Sequence, residues 1–302
     1  MSLTPEELAE RQAGIFATDA APALGLSKYR SPVQVWMEKI GEPMPETEQS
    51  ERMKMGHILQ PVIGRLYEER NDTRLKDLTG VTLWSKAHPF MGSHFDFVTE
   101  DNRTLVECKN FHPARMKEFG DDGSDDIPMD CLVQVVHECV VFGVTRADLA
   151  VLFGGQTFRV YPITVSPDTV DMICAREEKF WRQVVERVAP EPIDPEETRR
   201  LFPRDSGETK IAPAEIITIA QQLSQLKDNM KAADELKGQL EAKIQAAMGE
   251  ASTLATPAGT KLATWKLSKD GRRVDTDALK AAGLYEQFSK ETAGSRRFLL
   301  KV

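Results

Sequence analysis

Met91-Gly92-Ser93-His94-Phe95-Asp96-Phe97-Val98 and, just beyond, Thr104-Leu105-Val106-Glu107-Cys108-Lys109 decide how this chain reads. The two runs are rich in Val, Phe, Leu and Thr and flank an Asp101-Asn102 turn, which predicts a β-hairpin. Asp96 falls on the first strand; Glu107 and Lys109 fall on the second. Side chains two apart in a strand share a face, so Glu107 and Lys109 point together and Cys108 points the other way. A carboxylate, an ammonium and a nearby aspartate can hold a divalent metal and a water, which is the outline of a hydrolytic centre. A cross-strand salt bridge would account for the same three residues. What weighs against that simpler account is burial: Leu105-Val106 and Phe95-Phe97-Val98 read as inner strands, and a charge on an inner strand needs a partner or a task.

At 302 residues the chain can hold one large domain with an appendage, or two domains. A composition 41% hydrophobic and 28% charged is that of a soluble globular protein. No apolar run approaches a membrane span, and the opening MSLTPEELAERQ lacks the layout of a signal peptide, so a cytoplasmic protein with no membrane partner is expected. Cys108, Cys131, Cys139 and Cys174 form no C-x-x-C pair and no zinc spacing with the histidines, which predicts reduced thiols and no zinc. The net charge of -8 argues against a generally basic nucleic-acid coat. From Leu254 to Val302, however, ten basic side chains stand against five acidic ones, so that tail carries +5.

Outward from the hairpin, Thr4-Pro5-Glu6-Glu7 predicts a short helix over 4–13, with Thr18 and Asp19 able to cap the small-residue segment after it. Ser31-Pro32 opens a helix to Ile40. After a loop at 42–49, a helix from Glu51 to Arg70 carries His57, Gln60 and Gly64 on one face, with Pro61 bending or restarting it. A further strand lies around Val81–Trp84. The long connection from Phe111 to Pro128 holds an acidic run at 121–126 that reads as a solvated loop and a possible gate. Met129 to Phe142 is a buried helix with Gln134 and His137 as polar intrusions. A second hairpin (147–153 and 157–163) and an amphipathic helix (167–188) follow. The Pro-rich, acidic stretch 190–197 marks a boundary. A long helix from Pro213 to Met248 carries an apolar stripe that suits a coiled coil, a subunit contact or packing on its own domain. The remainder reads as a small α/β module with a strand at 262–265, a helix at 275–288 and a terminal strand at 297–301. The expected division is 1–205, 206–250 and 251–302.

Taken in order, a helix with His57 and Gln60, the Asp96 strand, the Glu107-x-Lys109 strand and a buried helix with Gln134 resemble the PD-(D/E)xK nuclease superfamily. Closer still is the resemblance to phage recombination exonucleases of the YqaJ type, relatives of lambda exonuclease. It is carried by the stretch Thr18 to Pro32, by Gly56-His57-Ile58-Leu59-Gln60-Pro61, by Asp96 with Glu107-Cys108-Lys109, by Gln134-Val135 and by Phe180-Trp181, and it spans about residues 10–190. The fold it implies is α/β, a mixed central sheet flanked by helices, here extended by the long helix and the small module.

The same resemblance implies Mg²⁺, with Mn²⁺ as a substitute, held by Asp96, Glu107 and the Cys108 carbonyl. Lys109 would orient the attacking water and Gln134 would help position it. Arg11 and Thr18 match residues that hold a terminal 5′-phosphate, and His94 could reach a phosphate. Double-stranded DNA ends are the implied substrate, in a bacterium or in a bacterial host. A homo-oligomeric ring such as a trimer and a single-strand annealing protein are the implied partners. Two departures stand out. Gln60 lies where the family usually places a metal-binding Glu, and Cys131 lies where a Tyr often precedes the glutamine. The leading expectation is a 5′→3′ exonuclease leaving 3′ single strands. The alternatives are a RecB-like endonuclease or single-strand nuclease, and a DNA-binding or assembly protein whose nuclease site is weakened.

Overall fold

The computed structural model describes residues 5–42, 51–290 and 294–301. The chain divides into two units, Met1–Leu201 and Phe202–Val302. Among the described residues no helix is long and apolar enough to cross a membrane.

The first unit begins with α1 (Pro5–Gln12), β1 (Ile15–Phe16), α2 (Ala17–Ala23) and α3 (Pro32–Lys39). A full capping box starts α3: the Ser31 hydroxyl accepts from the Gln34 N–H, and the Gln34 side chain accepts from the Ser31 N–H. There follow α4 (Glu51–Asn71), β2 (Leu75–Asp77), β3 (Thr82–Trp84), β4 (Met91–His94), β5 (Phe97–Thr99) and β6 (Leu105–Phe111). A 3-10 turn at Pro113–Glu118 leads to α5 (Met129–Phe142), β7 (Arg146–Phe153), β8 (Thr157–Thr164), α6 (Pro167–Val185) and α7 (Pro195–Leu201).

Five strands form the central sheet in the order β2-β5-β6-β7-β8. The β6–β7 pair is parallel, in register from Leu105↔Ala147 to Phe111↔Phe153, and the other three pairs are antiparallel. Because strand side chains alternate, β6 serves two cores. Leu105 belongs to the buried cluster that includes Val133 and Val136 of α5, and Val106 to the one that includes Ile63 and Tyr67 of α4. The sheet is therefore mixed and sandwiched, with α5 on one face and α4 on the other. Gly64 of α4 meets the Phe97 ring, where an added Cβ would lie 2.8 Å from Cε2. The Phe97 side chain takes the space that a side chain at 64 would need.

The hairpin read from sequence is real but shorter than expected. Its first run splits: β4 joins a separate three-stranded sheet, β1-β4-β3, while only β5 pairs with β6. Asp96 consequently sits in a bend between β4 and β5, not on a strand. Pro61 neither stops nor restarts α4, which runs unbroken through it. The N-cap of α2 is Phe16, with no side-chain cap, so neither Thr18 nor Asp19 caps it. The boundary stretch near 190–197 includes the start of α7. Most of the loop placed at 42–49 lies outside the described residues.

In the second unit, α8 (Ala214–Met248) runs for 35 residues. β9 (Thr253–Ala255) and β10 (Lys261–Thr264) form an antiparallel pair, and α9 (Thr276–Ala281) follows. Asp275 caps α9, its carboxylate accepting from the Asp277 and Ala278 N–H groups. The helix expected over 275–288 is thus cut short by a turn and resumes as a 3-10 segment at Glu286–Phe288, and residues 297–301 form no strand. With Gly283 at φ 69°, a left-handed conformation ends the helix there.

Candidate active site

β5 is only three residues long, so its pairing with β6 is brief. Asp96, in the preceding bend, fills the next position of the ladder with a side chain: its Oδ2 accepts the Cys108 N–H at 2.8 Å. The N–H and C=O of one strand residue face the same edge, so the Cys108 carbonyl is turned to the side on which Asp96 lies.

Glu107 and Lys109 share the face covered by α5. Lys109 Nζ lies 2.7 Å from Glu107 Oε1. From α5, Gln134 Nε2 donates to the same Glu107 oxygen at 2.7 Å and to Glu138 Oε1 at 2.8 Å. Glu107 and Glu138 are buried, at 7% and 2% exposure. Asp96, Glu107, Lys109, Gln134 and Glu138 thus form one connected group.

Their electrostatics follow from crowding in a dry site. Burial, and then the Glu107 carboxylate, push the Asp96 carboxyl well above the usual range. Burial, and then Glu107, do the same to Glu138. For Lys109, burial alone would lower the value, but Glu107, with Glu138 and Asp96 beyond it, outweighs that and holds the ammonium charged. The Cys108 thiol is raised by burial and by the two acids, so it is no nucleophile. Three carboxyls crowd one lysine, an excess of acids over cations that favours their protonated forms and that a bound cation would offset.

That excess bears on the metal. Among the described residues no group of three or more His, Cys, Asp or Glu side chains is arranged to hold an ion. The hard oxygens on hand are the Asp96 and Glu107 carboxylates and the Cys108 carbonyl. Mg²⁺ is commonly held by one or two carboxylates and keeps several waters, so this donor set fits Mg²⁺ and suits zinc poorly.

Residues 8–146 match the family described as the YqaJ-like viral recombinase domain. The chain matches that family from α1 to the start of β7, a stretch that includes Asp96, Glu107, Lys109 and Gln134. It is 29% identical over 306 residues to the uncharacterized protein YqaJ of Bacillus subtilis (strain 168), covering 98% of this chain and 93% of that one. Among solved structures it is similar to an alkaline exonuclease from Laribacter hongkongensis, with 14% identity, 61% of this chain and 94% of that chain covered, and a TM-score of 0.48. A phage-related exonuclease from Haemophilus somnus 129PT gives 11% identity, 58% and 96% coverage, and a TM-score of 0.44.

The other sequence candidates lie apart from this group. Gln60 is on α4, against the opposite face of the sheet, and its Nε2 donates to Thr79 Oγ1 at 3.1 Å. His94, at the end of β4, is exposed; its Nε2 lies 3.7 Å from Glu10 Oε2 and its ring tilts against Phe16. Thr18 is exposed on α2. Arg11 belongs to a second charged cluster, in which its Nη2 lies 3.1 Å from Asp19 Oδ1 and its Nε 3.3 Å from Glu38 Oε1. Arg30 joins the same two acids, and the buried Lys39 reaches Asp19 Oδ2 at 2.7 Å. His137, one turn along from Gln134, faces inward and lies 2.8 Å from Glu177 on α6.

Glu138 and the Asp19 cluster escaped the sequence reading. Glu138 had a signal: it stands four residues after Gln134, on the same face of an otherwise apolar helix. Asp19 had none, because Arg11, Arg30 and Lys39 converge on it only through the packing of α1, α2 and α3.

Proposed function

We propose that the YqaJ-like domain is a metal-dependent deoxyribonuclease. The observation that carries this is the convergence of Asp96, Glu107, Lys109 and Gln134 in one buried group at the end of β5. When bound, Mg²⁺ would polarise the scissile phosphate and supply an acidified water. Asp96 and Glu107 would hold it. Lys109, kept charged by Glu107, stands ready to neutralise charge building on the phosphate and to orient a water. Gln134 fixes Glu107 through one nitrogen and leaves its carbonyl oxygen available to accept from a water.

The specific reading is Mg²⁺-dependent 5′→3′ exonuclease action on linear double-stranded DNA, producing 3′ single strands for recombination or strand annealing. The match to a viral recombinase domain supports it. Arg11 and Thr18 are the proposed contacts to the terminal 5′-phosphate, with Arg11 exchanging a carboxylate partner for the phosphate. A homo-oligomeric ring on DNA and an annealing protein as partner belong to the same proposal.

A second reading has a specific observation behind it. Gln60 contributes no charge to the group and bonds Thr79 instead, which favours a DNA-binding or assembly protein with a weakened nuclease site. One experiment separates these readings. Linear duplex with 5′-phosphate ends, covalently closed circles and single strands are incubated with the chain in Mg²⁺ and in Mn²⁺. Nucleotide release from linear duplex alone supports the exonuclease; cutting of circles or single strands supports the RecB-like alternative. DNA retention with no product in either metal supports the weakened site and overturns the enzyme.

A further inference from the structure

Gln134 uses a single nitrogen for two acids. Its Nε2 donates to Glu107 Oε1 at 2.7 Å and to Glu138 Oε1 at 2.8 Å. An amide NH₂ has two hydrogens, so both are committed, and no hydrogen bond to Oε1 is found among the described residues. A flip of the amide would set Oε1 against the Glu107 oxygen that Lys109 also holds, and that repulsion assigns Nε2 as the inward end. Glu107 alone could not do this as firmly, since its Oε1 is shared with Lys109 Nζ at 2.7 Å. Glu138 has no other hydrogen-bond partner among the described residues and is almost wholly buried, at 2% exposure. An unneeded buried acid would be costly, and replacement by an apolar side chain of like size would relieve that cost.

We infer that Glu138 is a positioning residue: it holds the Gln134 amide with nitrogen inward and carbonyl oxygen outward, so that an acceptor faces the space beside Lys109 and Glu107. This rests on the nuclease reading only for its catalytic consequence. The orientation itself is a property of the folded chain.

The test has two readouts. The first is hydrogen exchange of the Gln134 side-chain amide in the full chain labelled with nitrogen-15, its signal identified by its loss in Gln134→Glu. Glu138→Met, close in length and uncharged, is expected to speed that exchange about tenfold, because one of the two acceptors is gone. Glu138→Gln keeps an acceptor oxygen at the same reach and falls between. The second readout is kinetic, on linear duplex DNA. Glu138→Met is expected to lower kcat about tenfold with KM unchanged, since misaiming a positioned group costs rate rather than uniform binding. In a Gln134→Ala background the same change should cost nothing more. Unchanged amide exchange in Glu138→Met overturns the inference. So does an additive loss in the double variant. Should Glu138→Met not fold, the comparison of wild type with Glu138→Gln decides by the same exchange signal. If the wild-type chain releases no nucleotides, the nuclease reading fails, while the exchange result still decides the role of Glu138.

Discussion

Asp96 reaches across the end of a strand to accept the Cys108 N–H at 2.8 Å, so a side chain stands where β5 has no residue to offer. The bond fixes the carboxylate beside Glu107 without a helix or strand beneath Asp96 itself. The same bond lets its charge be tested apart from its place. Asp96→Asn retains an oxygen for Cys108 and removes the charge. Its expected effect is a loss of Mn²⁺ affinity of about tenfold or more, with the melting temperature little changed. Calorimetric titration with Mn²⁺ checks it, and unchanged affinity would take Asp96 out of the metal site.

Lys109 is the cation of the group. Lys109→Met is expected to reduce kcat by about a hundredfold on linear duplex, in line with loss of a transition-state charge partner. It also leaves Glu107 buried beside two other acids, so thermal stability should fall. Steady-state digestion together with a melting curve checks both. Full activity in a folded variant would show that Lys109 serves only as the partner of Glu107.

Gln60→Glu adds a carboxylate to α4 on the far face of the sheet. If that helix can present a ligand to the metal, Mn²⁺ affinity should rise about tenfold and activity with it. The hydrogen bond to Thr79 points the other way in the present conformation. Titration of both proteins under the same conditions gives the answer, and equal affinities would set Gln60 outside the site.

Asp19 should make the protein acid-sensitive in a defined window. Burial raises its pKa, but Lys39, Arg11 and Arg30 more than offset that and bring it down to about 2 from an ordinary 3.8. A depressed acid stabilises the fold above its ordinary value and loses that contribution as pH falls through its folded value. The Asp19 share is about 2 kcal/mol, lost from about pH 4 down to about pH 2. Urea unfolding from pH 5 to pH 2 should show it. Asp19→Asn should start less stable, with three cations left short of a partner, and should show a shallower fall.

His137 gives the opposite slope. Burial lowers its pKa, yet the Glu177 carboxylate, with the Gly92 carbonyl on the other ring nitrogen, raises it above the ordinary 6.5. A raised base contributes its full stability below the ordinary value and loses it as pH rises through the folded value. The melting temperature should therefore drop on the alkaline side, and His137→Gln should flatten that drop. Parallel curves for the two proteins would remove His137 as the cause.

Much of this site could be read without a structure. Glu107 and Lys109 follow from strand alternation, and Gln134 stands out as a polar residue in an apolar helix. Asp96 was legible as a residue but not as a bend, because the run Met91–Val98 gives no local sign that it serves two sheets. Arg11 could be listed and Asp19 could not be paired with it: three helices must pack before that aspartate meets its cations. The strand expected at 297–301 rested on apolar content alone, and in a short exposed segment that did not outweigh the lack of a partner strand.

By itself the sequence determined the main helices (α3, α4, α5, α6 and α8) and the strands β6, β7 and β8, the face shared by Glu107 and Lys109, and the polar intrusion at Gln134. Each is a local matter of periodicity and propensity. Only the tertiary structure decided that α5 lies over Glu107 while α4, with Gln60, lies behind it, and that one amide nitrogen spans two buried acids. Those are distances between segments far apart in the chain, fixed by which faces of the sheet the two helices bury.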